Sequence, residues 1–410
     1  MGEIITNQPP TLSVFPSGWN YQSIGRRVQV CGRHGGAVTL TNGVYRSNGT
    51  QTSATYRWKV VALVDAVNPM AHFANLRSDN AGGSMEVDGD HAITVRCSLE
   101  KDGEGTRVAG LCDGKPSASL AAGALDVPFE FPIHLVKGQT YWLRVHVSVA
   151  SAGQFWPLGR VGWAALGEGS TANADQTLSG DPGSGDFWGF GPVAFTGIPT
   201  NENPVVWLFN GDSILKGYSA SNPNGLPNHG VLAQAAEELG QPWMINSIVG
   251  YGLYSDAPEN IDYGSPGSVP NMRLRARLAR YATHYLQCVG TNDINNGQPV
   301  DTLRWRMAQY SRWARGLGLI PCQTTLSVWT AWNAAKKADL VTINTLIRNK
   351  TNVGPLTGVI DFADAWETAR NSGVIRSGYS SDGVHPEPGA GFDALKTAMK
   401  TALATVPRTV

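Results

Sequence analysis

Residues 205–214 read Val205-Val206-Trp207-Leu208-Phe209-Asn210-Gly211-Asp212-Ser213-Ile214, five apolar side chains in a row followed by a polar turn. An uninterrupted apolar run of this length is the mark of a strand buried on both faces, hence of a parallel sheet with helices above and below it. The downstream sequence keeps to that plan. Helical periodicity at 231–239, 272–281, 302–316, 334–349 and 390–404 alternates with strand-like runs at 243–249, 285–289, 319–328 and 359–363. Such alternation predicts an α/β domain, and in α/β sheets ligands bind outside the carboxyl ends of the strands.

Upstream the pattern is different. Strand candidates at 28–30, 37–40, 56–64, 92–99 and 141–149 are short, and Asn42-Gly43 and Asn48-Gly49 are hairpin turn signals. The 141–149 segment alternates, with Trp142, Arg144 and His146 on one face and Leu143, Val145 and Val147 on the other. No amphipathic helix stands out. The expectation is an all-β sandwich, jelly-roll-like, over residues 1–200. Residues 164–204 turn to Gly, Ser, Asn, Asp and Pro and end in Pro199-Thr200-Asn201-Glu202-Asn203-Pro204, which reads as the boundary to an α/β domain over 201–410. The domain from about residue 200 onward is expected to be separable.

Composition narrows the function classes. The 410 residues carry 32 Lys+Arg against 32 Asp+Glu, a formal charge of zero, so a basic nucleic-acid footprint is not expected. No apolar run reaches the roughly 18 residues of a membrane helix. The start, Met1-Gly2-Glu3-Ile4-Ile5-Thr6, lacks the basic and apolar regions of a secretory signal, though it fits a loose myristoylation pattern. An extracellular or virion-associated setting is expected nonetheless. Cys288 and Cys322 lie in apolar runs as buried thiols, whereas Cys97 and Cys112 flank a polar stretch and could pair in an oxidising compartment. The histidines show no metal-ligand spacing, and no cofactor is expected.

The residues able to do chemistry fall at the strand ends. These are Asn210-Gly211-Asp212-Ser213-Ile214, then Gly250-Tyr251-Gly252, Gly290-Thr291-Asn292-Asp293, and finally Asp382-Gly383-Val384-His385-Pro386 before the last helix. On these blocks residues 204–406 resemble the SGNH/GDSL hydrolase family. The resemblance implies a three-layer α/β/α, flavodoxin-like fold and ester hydrolysis. It implies Ser213 as nucleophile, His385 as base and Asp382 as the acid that orients it. It further implies oxyanion donors at the Ser213 N–H, the Asn292 side chain and a glycine N–H of the second block, whose spacing after Asn246 is one residue off the expected pattern, with Gly250 the first choice and Gly252 the fallback.

The physics of the residues points the same way. A serine hydroxyl is a poor nucleophile until a neighbouring base takes its proton. An imidazole can do so near neutral pH when a carboxylate fixes its tautomer, and Asp382 and His385 are three apart, within one turn. Tyr218, Tyr251, Tyr254, Trp329 and Trp332 could form a platform for a sugar, with Tyr251, Trp329 and Trp332 as the substrate-binding candidates. Asp293 is expected to cap the following segment rather than shape the pocket, His229 to serve a helix start rather than approach the site, and Arg273, Arg275, Arg277 and Arg280 to form a solvated face rather than an anion site. Loops at 218–229, 253–269 and 370–381 are small and polar, which favours an acetyl group on carbohydrate over a long acyl chain. The alternatives are a lipase or thioesterase, and a non-catalytic glycan-binding phage tail or surface protein.

Overall fold

The structure is a computed structural model that describes residues 26–32, 47–79, 85–200, 203–219, 221, 229–255 and 273–408. The strand expected at 37–40 and the turn at Asn42-Gly43 lie outside the described residues.

Five parallel strands make the C-terminal sheet: Trp207–Gly211, Trp243–Ser247, His284–Cys288, Ile320–Thr324 and Gly358–Ile360. Counted along the chain they lie in the order 2-1-3-4-5, with Trp207 opposite Trp243 on one side and His284 on the other. The first strand is central and buried at every position, which is why it opens on the apolar Trp207, Leu208 and Phe209 before the buried Asn210. With right-handed connections, the rule for parallel strands, the order 2-1-3-4-5 puts helix Val231–Glu238 on one face and helices Val300–Gly316 and Ala334–Arg348 on the other. Helix Ala390–Ala404 packs beside Val231–Glu238, and Val300–Gly316 beside Ala334–Arg348, which gives an α/β domain. Each helix buries one stripe. In Ala390–Ala404 it is Phe392, Leu395, Met399 and Leu403, each worth roughly 1.5–3 kcal/mol of transfer from water. Asn333 starts Ala334–Arg348 by accepting the Lys336 N–H at 3.0 Å.

Among the described residues the N-terminal half holds two larger antiparallel sheets and two two-stranded ones, Arg160–Gly162 with Phe187–Gly189 and Leu76–Asp79 with Met85–Asp88. Of the larger pair, one runs Val28–Gln29, Ala194–Pro199, Ala66–Phe73, His134–Leu135, with Val127–Glu130 also paired to Ala66–Phe73. The other runs Gly169–Ala172, Ser53–Val61, Thr140–Ser148, Ile93–Lys101, Arg107–Ala109, with Ala118–Leu120 also on Ile93–Lys101. Alternation in Thr140–Ser148 does what its sequence implies: Leu143, Val145 and Val147 are fully buried. The opposite face is not simply solvated, because the Arg144 guanidinium is buried against Glu100 at 2.9 Å. Residues 164–200 belong to the N-terminal half. Gly169–Ala172 and Ala194–Pro199 each supply a strand to one of the two larger sheets, and the small residues between them are turns.

The two halves meet through buried groups, and one apolar cluster runs through both. Gln29 donates its N–H to the Tyr281 carbonyl at 3.0 Å, and the Trp243 N–H reaches the Cys31 carbonyl at 3.2 Å. Glu86, on strand Met85–Asp88, accepts the Leu274 N–H at 3.0 Å and the Asn246 amide at 3.2 Å. His72 lies between Asp126 and Thr196, and the Tyr281 hydroxyl donates to Asp126 at 3.1 Å. The expected solvated basic face is therefore corrected in three of its four residues. Arg273 pairs with Asp88 at 2.6 Å and Arg280 with Asp126 at 3.4 Å, while fully buried Arg275 stacks on Tyr251 and Tyr310, 5.5 Å from each ring. Only Arg277 is exposed. All five cysteines are free thiols, so Cys97 and Cys112 do not pair here. Among the described residues no helix is long and apolar enough to cross a membrane.

Candidate active site

The first parallel strand stops at Gly211, and Asp212 caps a one-turn helix, Ser213–Lys216, by accepting the Ile214 N–H at 3.0 Å. The cap turns the chain sharply and leaves Ser213 as the first helical residue at the carboxyl end of the sheet. The loop before helix Ala390–Ala404 approaches it from the far edge. There Asp382 folds the loop onto itself, its Oδ1 accepting the N–H groups of Val384 and His385 at 2.9 Å each and the Ser380 hydroxyl at 3.0 Å. Gly383 has φ +77°, and a Cβ there would lie 1.9 Å from Thr330 Oγ1, so this turn has room only for glycine. The Thr330 N–H donates to the Gly383 carbonyl at 3.0 Å, tying the 329–332 loop to the turn.

These loops bring the three expected residues into one line. Asp382 Oδ2 lies 2.7 Å from His385 Nδ1, and His385 Nε2 lies 2.8 Å from Ser213 Oγ. With the carboxylate accepting at Nδ1, that nitrogen carries the proton and Nε2 offers its lone pair to the serine hydroxyl. Burial pushes the Asp382 carboxyl up, but hydrogen bonds from the His385 N–H and ring and from the Val384 N–H outweigh it and bring the group down to about 2. The acid is therefore ionised at any working pH. The Tyr218 ring packs against the imidazole, centroids 4.7 Å apart, and limits its motion.

Asn292 sits beside this line with its amide engaged. Nδ2 donates to the Tyr251 carbonyl at 3.0 Å and to Asp212 Oδ2 at 3.2 Å. Asp212 itself is buried. Desolvation, reinforced by nearby Asp293, raises its carboxyl to about 7 against the pull of the Ile214 N–H. Gly250 is exposed with φ +76°. Because the Tyr251 carbonyl faces Asn292, the Gly252 N–H of the same trans peptide points away from it.

Other expectations are corrected. Tyr251 is 1% exposed and lies under Arg275, so its ring is no platform for a ligand. Trp332 is buried, its indole N–H held by Asn295 at 3.1 Å, whereas Trp329 keeps partial exposure. Asp293 is not a cap: its carboxylate takes the Leu253 and Tyr254 N–H groups at 2.9 Å each and so shapes the second loop. Gly230 rather than His229 caps helix Val231–Glu238, and the His229 ring stands edge-on to Trp243. Sequence reasoning passed over Lys216, three residues beyond the serine. It is 2% exposed, its Nζ has no hydrogen-bond partner among the described residues, and burial lowers its ammonium to about 7. The signal was present, a lysine in an otherwise apolar turn.

No protein-family model and no curated protein matches the chain. Solved structures do. A GDSL-like lipase from Bacteroides thetaiotaomicron is 17% identical with a TM-score of 0.35, covering 50% of this chain and 89% of its own. A psychrotrophic esterase from Pseudoalteromonas is 17% identical with a TM-score of 0.34, covering 49% of this chain and 97% of its own. A family two carbohydrate esterase from Cellvibrio japonicus is 15% identical with a TM-score of 0.36, covering 93% of this chain and 97% of its own. The chain is thus similar to solved GDSL/SGNH hydrolases and esterases, the same family whose motifs its sequence resembles.

Proposed function

We propose that the protein is a serine esterase acting on short acyl esters of carbohydrate, O-acetyl groups first, with Ser213 as nucleophile. The observation that carries this reading is the unbroken hydrogen-bonded line from Asp382 through His385 to Ser213 at the end of a buried parallel strand. In the proposed reaction the Ser213 oxygen attacks the ester carbonyl while its proton passes to His385 Nε2. Asp382 holds the imidazolium. The oxyanion takes hydrogen bonds from the Ser213 and Gly250 N–H groups and from Asn292, whose amide would have to turn from one of its two present acceptors. His385 then protonates the departing alcohol, and water, deprotonated by the same ring, releases the acid and restores the serine. No step needs a metal or cofactor.

In the same reading residues 1–200 are a β-sandwich, jelly-roll-like unit that binds glycan, and 201–410 the catalytic unit. Rates for p-nitrophenyl esters from acetate to decanoate, with acetate release from acetylated polysaccharides, test the acyl preference. A steep fall beyond butyrate is expected. An optimum at octanoate or longer would replace the deacetylase reading with a lipase.

A further inference from the structure

A cavity of about 320 Å³ opens in the N-terminal half, with neither Ser213 nor His385 in its lining, where the edge strand Gly169–Ala172 meets Ser53–Val61 and strand Phe187–Gly189. Its walls include the half-buried Trp188 indole, with Trp156 buried at its floor, and its polar lining includes Gln51, Ser170 and Thr171. The rings are fixed from behind. The Trp156 Nε1–H donates to the Tyr56 hydroxyl at 3.1 Å, and the buried Lys216 ammonium lies 5.3 Å from the centre of the Trp188 ring. The polar groups are presented as well as fixed. Asn48 Oδ1 accepts the N–H groups of Thr50 and Gln51 at 3.0 and 3.4 Å, shaping the turn that carries the Gln51 side chain. The side chains of Gln51, Ser170 and Thr171 have no partner among the described residues.

None of the described residues lining the cavity is charged. That disfavours phosphate, sulfate or acidic sugars, which need a cation. One accessible indole, Trp188, beside uncommitted amide and hydroxyl groups suits a ligand with one apolar C–H face and a rim of hydroxyls. The volume stands at the lower end of the roughly 300–1,000 Å³ of small-molecule sites, enough for one ring rather than a chain. We infer that this cavity binds a single ring of a neutral saccharide, a second carbohydrate site apart from the catalytic serine. The choice of ligand class rests on the reading of the N-terminal half as a glycan-binding unit. The position of Lys216 adds a link, since it belongs to the helix that begins with Ser213 and its ammonium backs the cavity wall.

The test uses the full chain and unacetylated, neutral probes that the esterase cannot consume: cellobiose, xylobiose and maltose, followed by saturation-transfer NMR and calorimetry. At least one should bind saturably. Gln51→Ala should weaken that binding about fivefold to tenfold, the share of one hydrogen bond. Ser170→Trp, at an exposed position on the edge strand, should fill the cavity and abolish it, with p-nitrophenyl acetate turnover unchanged in both variants. Binding that survives Ser170→Trp, or no binding of any probe, would overturn the assignment. The two readings fail separately: absent ester turnover with sugar binding intact refutes only the esterase, and turnover without sugar binding refutes only the cavity.

Discussion

Two histidines in this molecule each bridge a carboxylate and a hydroxyl. His385 lies 2.7 Å from Asp382 and 2.8 Å from Ser213; His72 lies 2.7 Å from Asp126 and 2.7 Å from Thr196. By distance the two relays are equivalent. Their surroundings separate them. Ser213 heads a helix at the end of a parallel strand, and its partners keep side-chain exposures of 15% for His385 and 28% for Asp382. Thr196 is fully buried within an antiparallel strand, and Asp126 is also bound by Tyr281 and Arg280 from the other half. A hydrogen-bonded line is something any core can build to satisfy polar groups. Chemistry further requires a place for substrate and donors for the charge that develops. The buried relay is a fastening between halves.

The largest expected effect tests that distinction directly. Ser213→Ala should lower esterase turnover by roughly 10⁵–10⁶-fold, whereas Thr196→Val should leave it unchanged. A fluorophosphonate should label Ser213 alone, as read by peptide mass. Labelling elsewhere, or full turnover in the alanine variant, would erase the contrast.

Asn292→Ala comes next, with kcat down by roughly 10²–10³ and KM little changed, the usual loss of one oxyanion donor. If only KM rises, Asn292 binds substrate without stabilising the transition state.

Thr196→Val should act on stability instead. It leaves His72 Nε2 without its buried partner, at a cost of about 1–3 kcal/mol in denaturant unfolding. The same relay should be acid-sensitive. Burial lowers the His72 pKa, with Asp126 pulling it up and Arg27 and Arg280 down, while the Tyr281 hydroxyl faces the ring. Below about pH 6.5 the unfolded chain takes up a proton that the folded ring refuses, so stability falls as pH drops through that region. His72→Gln should shrink the stability difference between pH 7.5 and pH 5; an unchanged difference would show that other groups drive it.

The smallest effect is a gain. Lys216→Met removes a buried amine lowered to about 7, which is charged in the unfolded chain up to about pH 10.5. The native cost is complete below pH 7 and fades as pH rises to 10.5. The variant should therefore be more stable by roughly 1–3 kcal/mol at pH 6, and by less at pH 9.5.

The alternation of strand and helix was readable because burial writes itself into periodicity, as in 205–209 and in Ala390–Ala404. The line Ser213–His385–Asp382 was readable because each member sits in a short motif, Ser213 at a strand end and Asp382 and His385 in the loop before the last helix. Partners far apart in sequence were not. Tyr251, between two glycines, looked like an exposed loop residue, and Arg275 looked like solvated charge. Each is buried by the other, and no local pattern records that. Asp293 resembles a helix cap in sequence, yet its hydrogen bonds go to residues some forty positions upstream.

Glu86 carries a consequence for inheritance. Its carboxylate, raised by burial and held by the Leu274 N–H and Arg275, comes from one half and finishes the start of a helix in the other. Cutting near residue 200 would leave that N–H and the Asn246 amide without their acceptor, so a fragment from about 200 onward should not unfold cooperatively, contrary to the composition break. A catalytic half transplanted onto another β-rich partner would meet the same deficit unless an equivalent acid arrived with it. The two halves should therefore pass between genes as one cassette, with recombination tolerated at their outer ends and not at the seam.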